Sequence, residues 1–153
     1  MRMFVATGTA VVLALAAAVF ATALAREATA GEVGEGALVK AAAEQYFKGQ
    51  ATGDPEEFRK VFHPDSRLFG LVDGKFNTIA SADWIAKMSG KAADDEAQRA
   101  RKILLVDVAG DMALVKVELD YPKVKFTDYL SMLKIDGKWT VVNKTYTGTR
   151  KAK

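Results

Sequence analysis

Residues 126–146 read FTDYLSMLKIDGKWTVVNKTY, and this stretch constrains what the chain can fold into more than any other. Its Asp136-Gly137 pair supplies the positive-φ positions that a short hairpin loop needs, and the Tyr, Thr, Val, Trp and Met on either side suit a pleated, half-buried sheet. Two long antiparallel strands are predicted here. Two charges, Asp128 and Lys144, stand inside their apolar pattern, and the register decides what they meet. With a strict two-residue loop Asp128 faces Thr145. With a three-residue loop and Gly137 left-handed it faces Lys144, on a face shared with Phe126, Leu130 and Met132. The second register is favoured, because it pairs opposite charges on an apolar face instead of stranding each alone.

The rest of the chain supplies what such a hairpin must pack against. The runs 66–72 and 75–79 flank a second turn at Asp73-Gly74 and read as a less regular hairpin. Residues 101–108 are apolar on both faces, and 112–121 alternate Ala113, Val115, Val117, Leu119 and Tyr121 against Lys116, Glu118 and Asp120. Pro122 ends that strand. Helical spacing appears earlier: over 37–50 the stripe is Leu38, Ala41, Ala42, Gln45 and Tyr46, with Lys40, Glu44 and Lys48 opposite. Asp54 then caps a short helix with Pro55 in its first turn and Glu57 three residues after the cap; it presents Phe58, Val61 and Phe62 and stops at His63, before Pro64. Ser81 caps a third helix over 82–89, whose Trp84, Ile85 and Met88 share a face, and the charged run 91–98 reads as a solvated loop. This order predicts an α+β domain, a mostly antiparallel sheet of about six strands with three helices on one face. The first helix should cross the concave side, leaving a cavity at the open end.

Residues 1–25 begin Met1-Arg2-Met3, continue through an apolar tract with Val11, Leu13, Leu15 and Phe20, and end in Ala-Leu-Ala, the layout of a secretory signal peptide. A second small-residue site ends at Ala30. The competing reading is an uncleaved membrane anchor, since about 20 apolar residues span a bilayer as a helix; the alanine-rich tract and the small residues favour cleavage. The expected location is therefore periplasmic or secreted. Residues 26–36, with three glycines and alternating glutamates, read as a flexible linker, 37–148 as the domain and 149–153 as a basic tail. The chain has no cysteine, which excludes disulfides, thiolate metal sites and a lipoprotein anchor, and its one histidine makes no usual zinc set. A net charge of +3 with the basic residues densest in the tail gives no nucleic-acid footprint. No phosphate loop, nucleophile elbow or paired-histidine helix is present, and no cofactor is expected.

Several motifs then agree on a family: Tyr46-Phe47-Lys48-Gly49 followed by Gly53-Asp54, Phe62-His63-Pro64-Asp65, Phe126-Thr127-Asp128-Tyr129, and Leu133-Lys134 through Asp136-Gly137-Lys138-Trp139 to Val142-Asn143-Lys144. Over 38–146 the chain resembles the nuclear transport factor 2-like superfamily, and within it the bacterial group named putative lumazine-binding domains. The resemblance implies a cone-shaped fold. It leaves activity open, because that fold hosts isomerases, dehydratases, cyclases, hydrolases, transport factors and binding domains. It also implies a homodimer through the outer sheet face, and the group's name records a suspected pterin-like ligand.

Three functional readings follow. In the first, an exported domain binds a small hydrophobic or aromatic ligand, with Tyr46, Phe62, Trp84, Phe126, Asp128 and Lys144 at the site. Among the aromatics, Phe47, Phe69, Tyr129, Trp139 and Tyr146 could also sandwich a flat heterocycle, although aromatics at helix and strand spacing fill a small core by default. Asp128 and Lys144 would then be a structural ion pair in the pocket wall. In the second, a cofactor-free isomerase or dehydratase-type lyase uses Asp128 as base, with Tyr46 or Tyr129 donating to an oxyanion; the lysine facing Asp128 counts against it. His63 is the remaining catalytic candidate, with a turn-stabilising role as the favoured alternative. In the third, the sheet face binds another protein.

Overall fold

The computed structural model describes residues 34–152, in which a helix α1 (34–52) precedes α2 (Pro55–Arg59), β1 (Phe62–Val72), β2 (Lys75–Ala80) and α3 (Ser81–Ile85). A short 3-10 turn (Glu96–Gln98) leads into β3 (Ala100–Ala109), β4 (Met112–Asp120), β5 (Val124–Ile135) and β6 (Lys138–Arg150). The six strands form one curved, open sheet in the order β2-β1-β6-β5-β4-β3. Every neighbouring pair is antiparallel except β1 with β6. This is the predicted α+β arrangement, with the helices on the concave face. The signal peptide, its cleavage sites and most of the linker lie outside the described residues. Among the described residues no helix is long and apolar enough to cross a membrane.

The local signals acted with some shifts. Asp54 accepts from the Glu56 amide at 2.9 Å with Pro55 in the first turn, as expected of a cap. Glu57 does not close a capping box: its carboxylate takes Gln45, Lys48 and Lys60 instead. The helix also ends early, and Phe62, His63 and Pro64 belong to β1. Between Phe62 and Arg67 the β1 ladder to β6 is interrupted, so the missing Pro64 amide breaks no sheet bond. Ser81 opens α3 without capping it: its hydroxyl meets Ser66 Oγ at 2.5 Å, and Ala80 is the cap position. Helix α1 already includes 34–36, and its buried stripe is Val39, Ala43 and Tyr46, one position on from the predicted Leu38, which is 52% exposed. Strand β6 takes in Thr149 and Arg150, the first residues of the predicted tail.

The core fills the space between α1 and the concave sheet. Val39, Ala43 and Tyr46 meet Leu68, Val115, Val117, Leu130, Met132 and Val141, all nearly or fully buried. Phe58 and Trp84 close one flank, edge to face at 4.8 Å. Glu35 ties the start of the helix to the last hairpin, accepting from Trp139 Nε1 at 2.9 Å and from Lys134 Nζ at 2.7 Å; those two bonds hold its carboxyl below the usual range.

Candidate functional site in the cone

The Asp136-Gly137 loop is a strict two-residue turn, pairing Ile135 with Lys138. Carried unbroken along the ladder, that register would put Thr145 opposite Asp128 and turn Lys144 and Tyr146 to the outer face. A β-bulge prevents this. Ser131 pairs with Asn143 but Met132 with Val141, so Val142 is the extra residue. Trp139 and Val141 before the bulge, and Lys144, Tyr146 and Gly148 after it, therefore share the concave face. Asp128 pairs with Tyr146 and Lys144 with Leu130. Neither predicted register holds, yet the predicted contact forms on the diagonal, with Lys144 Nζ 2.9 Å from Asp128 Oδ2.

Around this pair a hydrogen-bonded chain is assembled from three elements. The Tyr46 hydroxyl, on α1, donates to Asp128 Oδ2 at 2.6 Å and accepts from Gln50 Nε2 at 2.9 Å and from Lys144 Nζ at 3.2 Å. Tyr121, following β4, donates to Gln50 Oε1 at 3.1 Å. Arg101 donates to the Gln50 carbonyl at 3.1 Å and is held by two bonds to Glu96. Burial, then the neighbouring Asp128 charge, pushes the Tyr46 phenol well above its ordinary range, and burial raises Tyr121. The Lys144 ammonium also lies 4.6 Å from the Tyr146 ring centre, 5.2 Å from Trp84 and 5.4 Å from Tyr46. Such contacts favour a cation.

A cavity of about 300 Å³ opens beside the network, lined by Trp84, Phe126, Asp128, Lys144 and Tyr146 together with Gln50, Leu68, Val72, Leu119 and Tyr121. Asp128 Oδ1 is buried and, among the described residues, has no hydrogen-bond partner. Four of the six predicted ligand residues thus line one cavity, and Tyr46 sits immediately behind it. Phe62 does not reach it: packed on Tyr46, Phe58 and Trp84, it lines a separate depression with His63. His63 lines that depression and not the cavity beside Asp128, and its Nδ1 accepts from the Asp65 amide at 3.2 Å, a turn contact. Tyr129 is no donor to this site, because it neighbours Asp128 on the strand and so faces outward, where Lys116 covers its ring at 5.6 Å. The sequence reading missed Gln50, Tyr121 and Arg101. Gln50 was findable, standing four residues after Tyr46 on one helix face.

Comparisons with known proteins agree with this architecture. The family model described as "Putative lumazine-binding" matches residues 34–147. A nuclear transport factor 2-like protein of unknown function from Shewanella baltica is 25% identical with a TM-score of 0.68, covering 76% of this chain and 95% of its own. A similar protein from Methylobacillus flagellatus is 28% identical with a TM-score of 0.63, covering 79% and 94%. The chain is also 26% identical over 101 residues to the aldolase FrzH of Cladobotryum sp, spanning 66% of this chain and 81% of that protein.

Proposed function

The chain belongs to the Putative lumazine-binding family, with the nuclear transport factor 2-like fold, and from that premise we propose that it is an exported domain that binds a small, largely apolar or aromatic molecule in the cone. The observation that carries this reading is the Asp128 carboxylate. Its Oδ2 is taken by Tyr46 and Lys144, while Oδ1 is unpartnered in the wall of an aromatic cavity. A buried acceptor left without a donor costs about 1–3 kcal/mol, so a ligand that brings an N–H or O–H to it recovers that amount on binding. The ion pair leaves the cavity wall with no net charge, which favours a neutral ligand over an ion.

Titration of the Trp139→Phe protein with lumazine, followed by the fluorescence of the remaining Trp84, tests the site. Saturable quenching at one molecule per chain is expected, and mass spectrometry of a denatured extract should detect whatever ligand co-purifies. Absence of both would sink the reading. Export predicts an intact mass lacking residues 1–25 or 1–30, and an unprocessed chain would contradict it. The outer face of β3, β4 and β5 exposes Leu105, Met112, Tyr129 and Leu133, which supports a homodimer through that face; light scattering at the monomer mass would refute it.

A second reading is favoured by one observation, the likeness to an aldolase. Here Asp128 removes a proton beside a carbonyl group and Tyr46 or Lys144 steadies the resulting oxyanion. Asp128→Asn separates the readings: a lyase loses turnover with its fold intact, whereas a binding domain loses affinity or stability and never turned over a carbonyl substrate.

A further inference from the structure

Two glycines lie under the two rings that line the cavity on the strand side. Gly70 of β1 pairs with Tyr146 of β6, and Gly148 of β6 pairs with Phe126 of β5. A Cβ built on Gly70 would come within 2.2 Å of Tyr146 Cζ and 2.6 Å of both Cε atoms. One built on Gly148 would come within 2.6 Å of Phe126 Cε1 and 2.8 Å of its Cδ1. Tyr146 therefore lies face down across Gly70, whereas Phe126 turns its Cδ1–Cε1 edge onto Gly148. Tyr146 reaches over β1 to β2, where its hydroxyl accepts from Asn77 Nδ2 at 3.2 Å. The two rings then meet edge to face at 6.3 Å.

Backbone conformation does not account for either glycine. Neither is among the positive-φ residues, unlike Gly53, Gly74, Gly90, Gly110 and Gly137. A glycine inside a strand weakens the sheet through backbone entropy, and its usual meanings are a bulge or a close approach by another group. The bulge of β6 is at Val142, away from both. Close approach by a ring is what remains, an arrangement known to offset the cost of a strand glycine. The sheet backbone lies beneath each ring and the cavity above it, so a ring displaced by a methyl group moves into the cavity.

We propose that Gly70 and Gly148 are specificity determinants of the cone, letting the face of Tyr146 and the edge of Phe126 sit against the sheet so that the cavity keeps the height a planar ligand needs. The ligand-binding half of this rests on the small-molecule reading above; the position of the rings does not.

The test uses Gly70→Ala, Gly148→Ala and the double variant Gly70→Ala/Tyr146→Ala, each titrated with lumazine and each crystallised. The single variants should bind at least about tenfold more weakly than the wild type, with the ring lifted into the cavity. The double variant removes the clash and should fold even if Gly70→Ala alone does not, with Phe126 in its wild-type position. Unchanged affinity in a folded single variant overturns the proposal, as does a ring that stays in place while the backbone shifts. A wild type that binds no lumazine counts against the small-molecule reading alone, and the crystal structures still decide whether the glycines hold the rings down.

Discussion

The two Asp-Gly hairpins use the same turn and have different consequences. Asp73 and Gly74 have φ values of 49° and 73°, Asp136 and Gly137 of 49° and 76°, the mirror-image turn that suits twisted strands. From the first, β1 and β2 pair in unbroken register, and β2 is exposed along most of its length. From the second, β5 and β6 run into a bulge at Val142, after which the inward positions of β6 change from odd to even. A turn sets the register only as far as the next bulge. In this protein the bulge, not the turn, brings Lys144 and Tyr146 to Asp128.

The most severe way to break that comparison is to delete Thr145, just beyond the bulge. If the bulge persists, Tyr146 and Gly148 turn outward; if it closes, Lys144 turns outward instead and Asp128 loses its partner, and all three are needed inside. Loss of a cooperative thermal transition is expected. The control is a glycine inserted after Gly74, which slips the mostly exposed β2 by one residue; this variant should still melt cooperatively. A deletion variant that folds normally would show that the inward set of β6 fixed by the bulge is not what holds the site.

Lys144→Met comes next. It leaves the fully buried Asp128 without its cation, and breaking such a pair costs about 3–5 kcal/mol. Urea denaturation of the variant measures this, and Asp128→Leu/Lys144→Met should recover most of the loss, because replacing a whole buried pair by apolar groups is often neutral. A cost below about 1 kcal/mol for the single variant would place the pair among weakly coupled surface charges.

These effects mark where the sequence could be read and where it could not. The strand pattern, both turns and the α+β order were legible, because alternation of period two and positive-φ residues are local properties. The contact of Asp128 with Lys144 was legible for a different reason, since burying either charge alone is expensive in any register. The bulge was not: Val142 and Val141 are identical side chains in an apolar run, and nothing local says which is the extra one. The roles of Gly70 and Gly148 were equally hidden, because each depends on a ring carried by another strand. Phe62 was misplaced because Pro64 can end a helix or occupy a ladder interruption, and only the partner strand distinguishes them.

Tyr46→Phe tests the bulged side more gently. The variant loses a bond to a carboxylate, worth about 1.5–3 kcal/mol near neutrality. Its pH dependence has a definite sign. Burial and Asp128 hold the phenol proton in the native state above the ordinary value of 10.0, so the unfolded chain releases it first. The stabilisation is complete below that value and is lost as pH rises beyond it. The difference between wild type and Tyr46→Phe should therefore hold up to about pH 10 and narrow as pH rises further. A gap that widens with pH would mean that the native phenol ionises more readily than the unfolded one.

The smallest effect is the sharpest on the claim that the turns are alike. Gly74 and Gly137 have nearly the same positive φ, and a Cβ on either would meet no atom within 4 Å. Alanine at each therefore incurs only the strain of an L residue in that conformation, about 1 kcal/mol. Gly74→Ala and Gly137→Ala should lower stability by amounts that agree within about 0.5 kcal/mol when measured by urea denaturation. A much larger loss at Gly137 would mean that the second turn helps to place the bulge. The two hairpins would then differ from their loops onward, and the site at Asp128 would depend on Gly137 as well as on Val142.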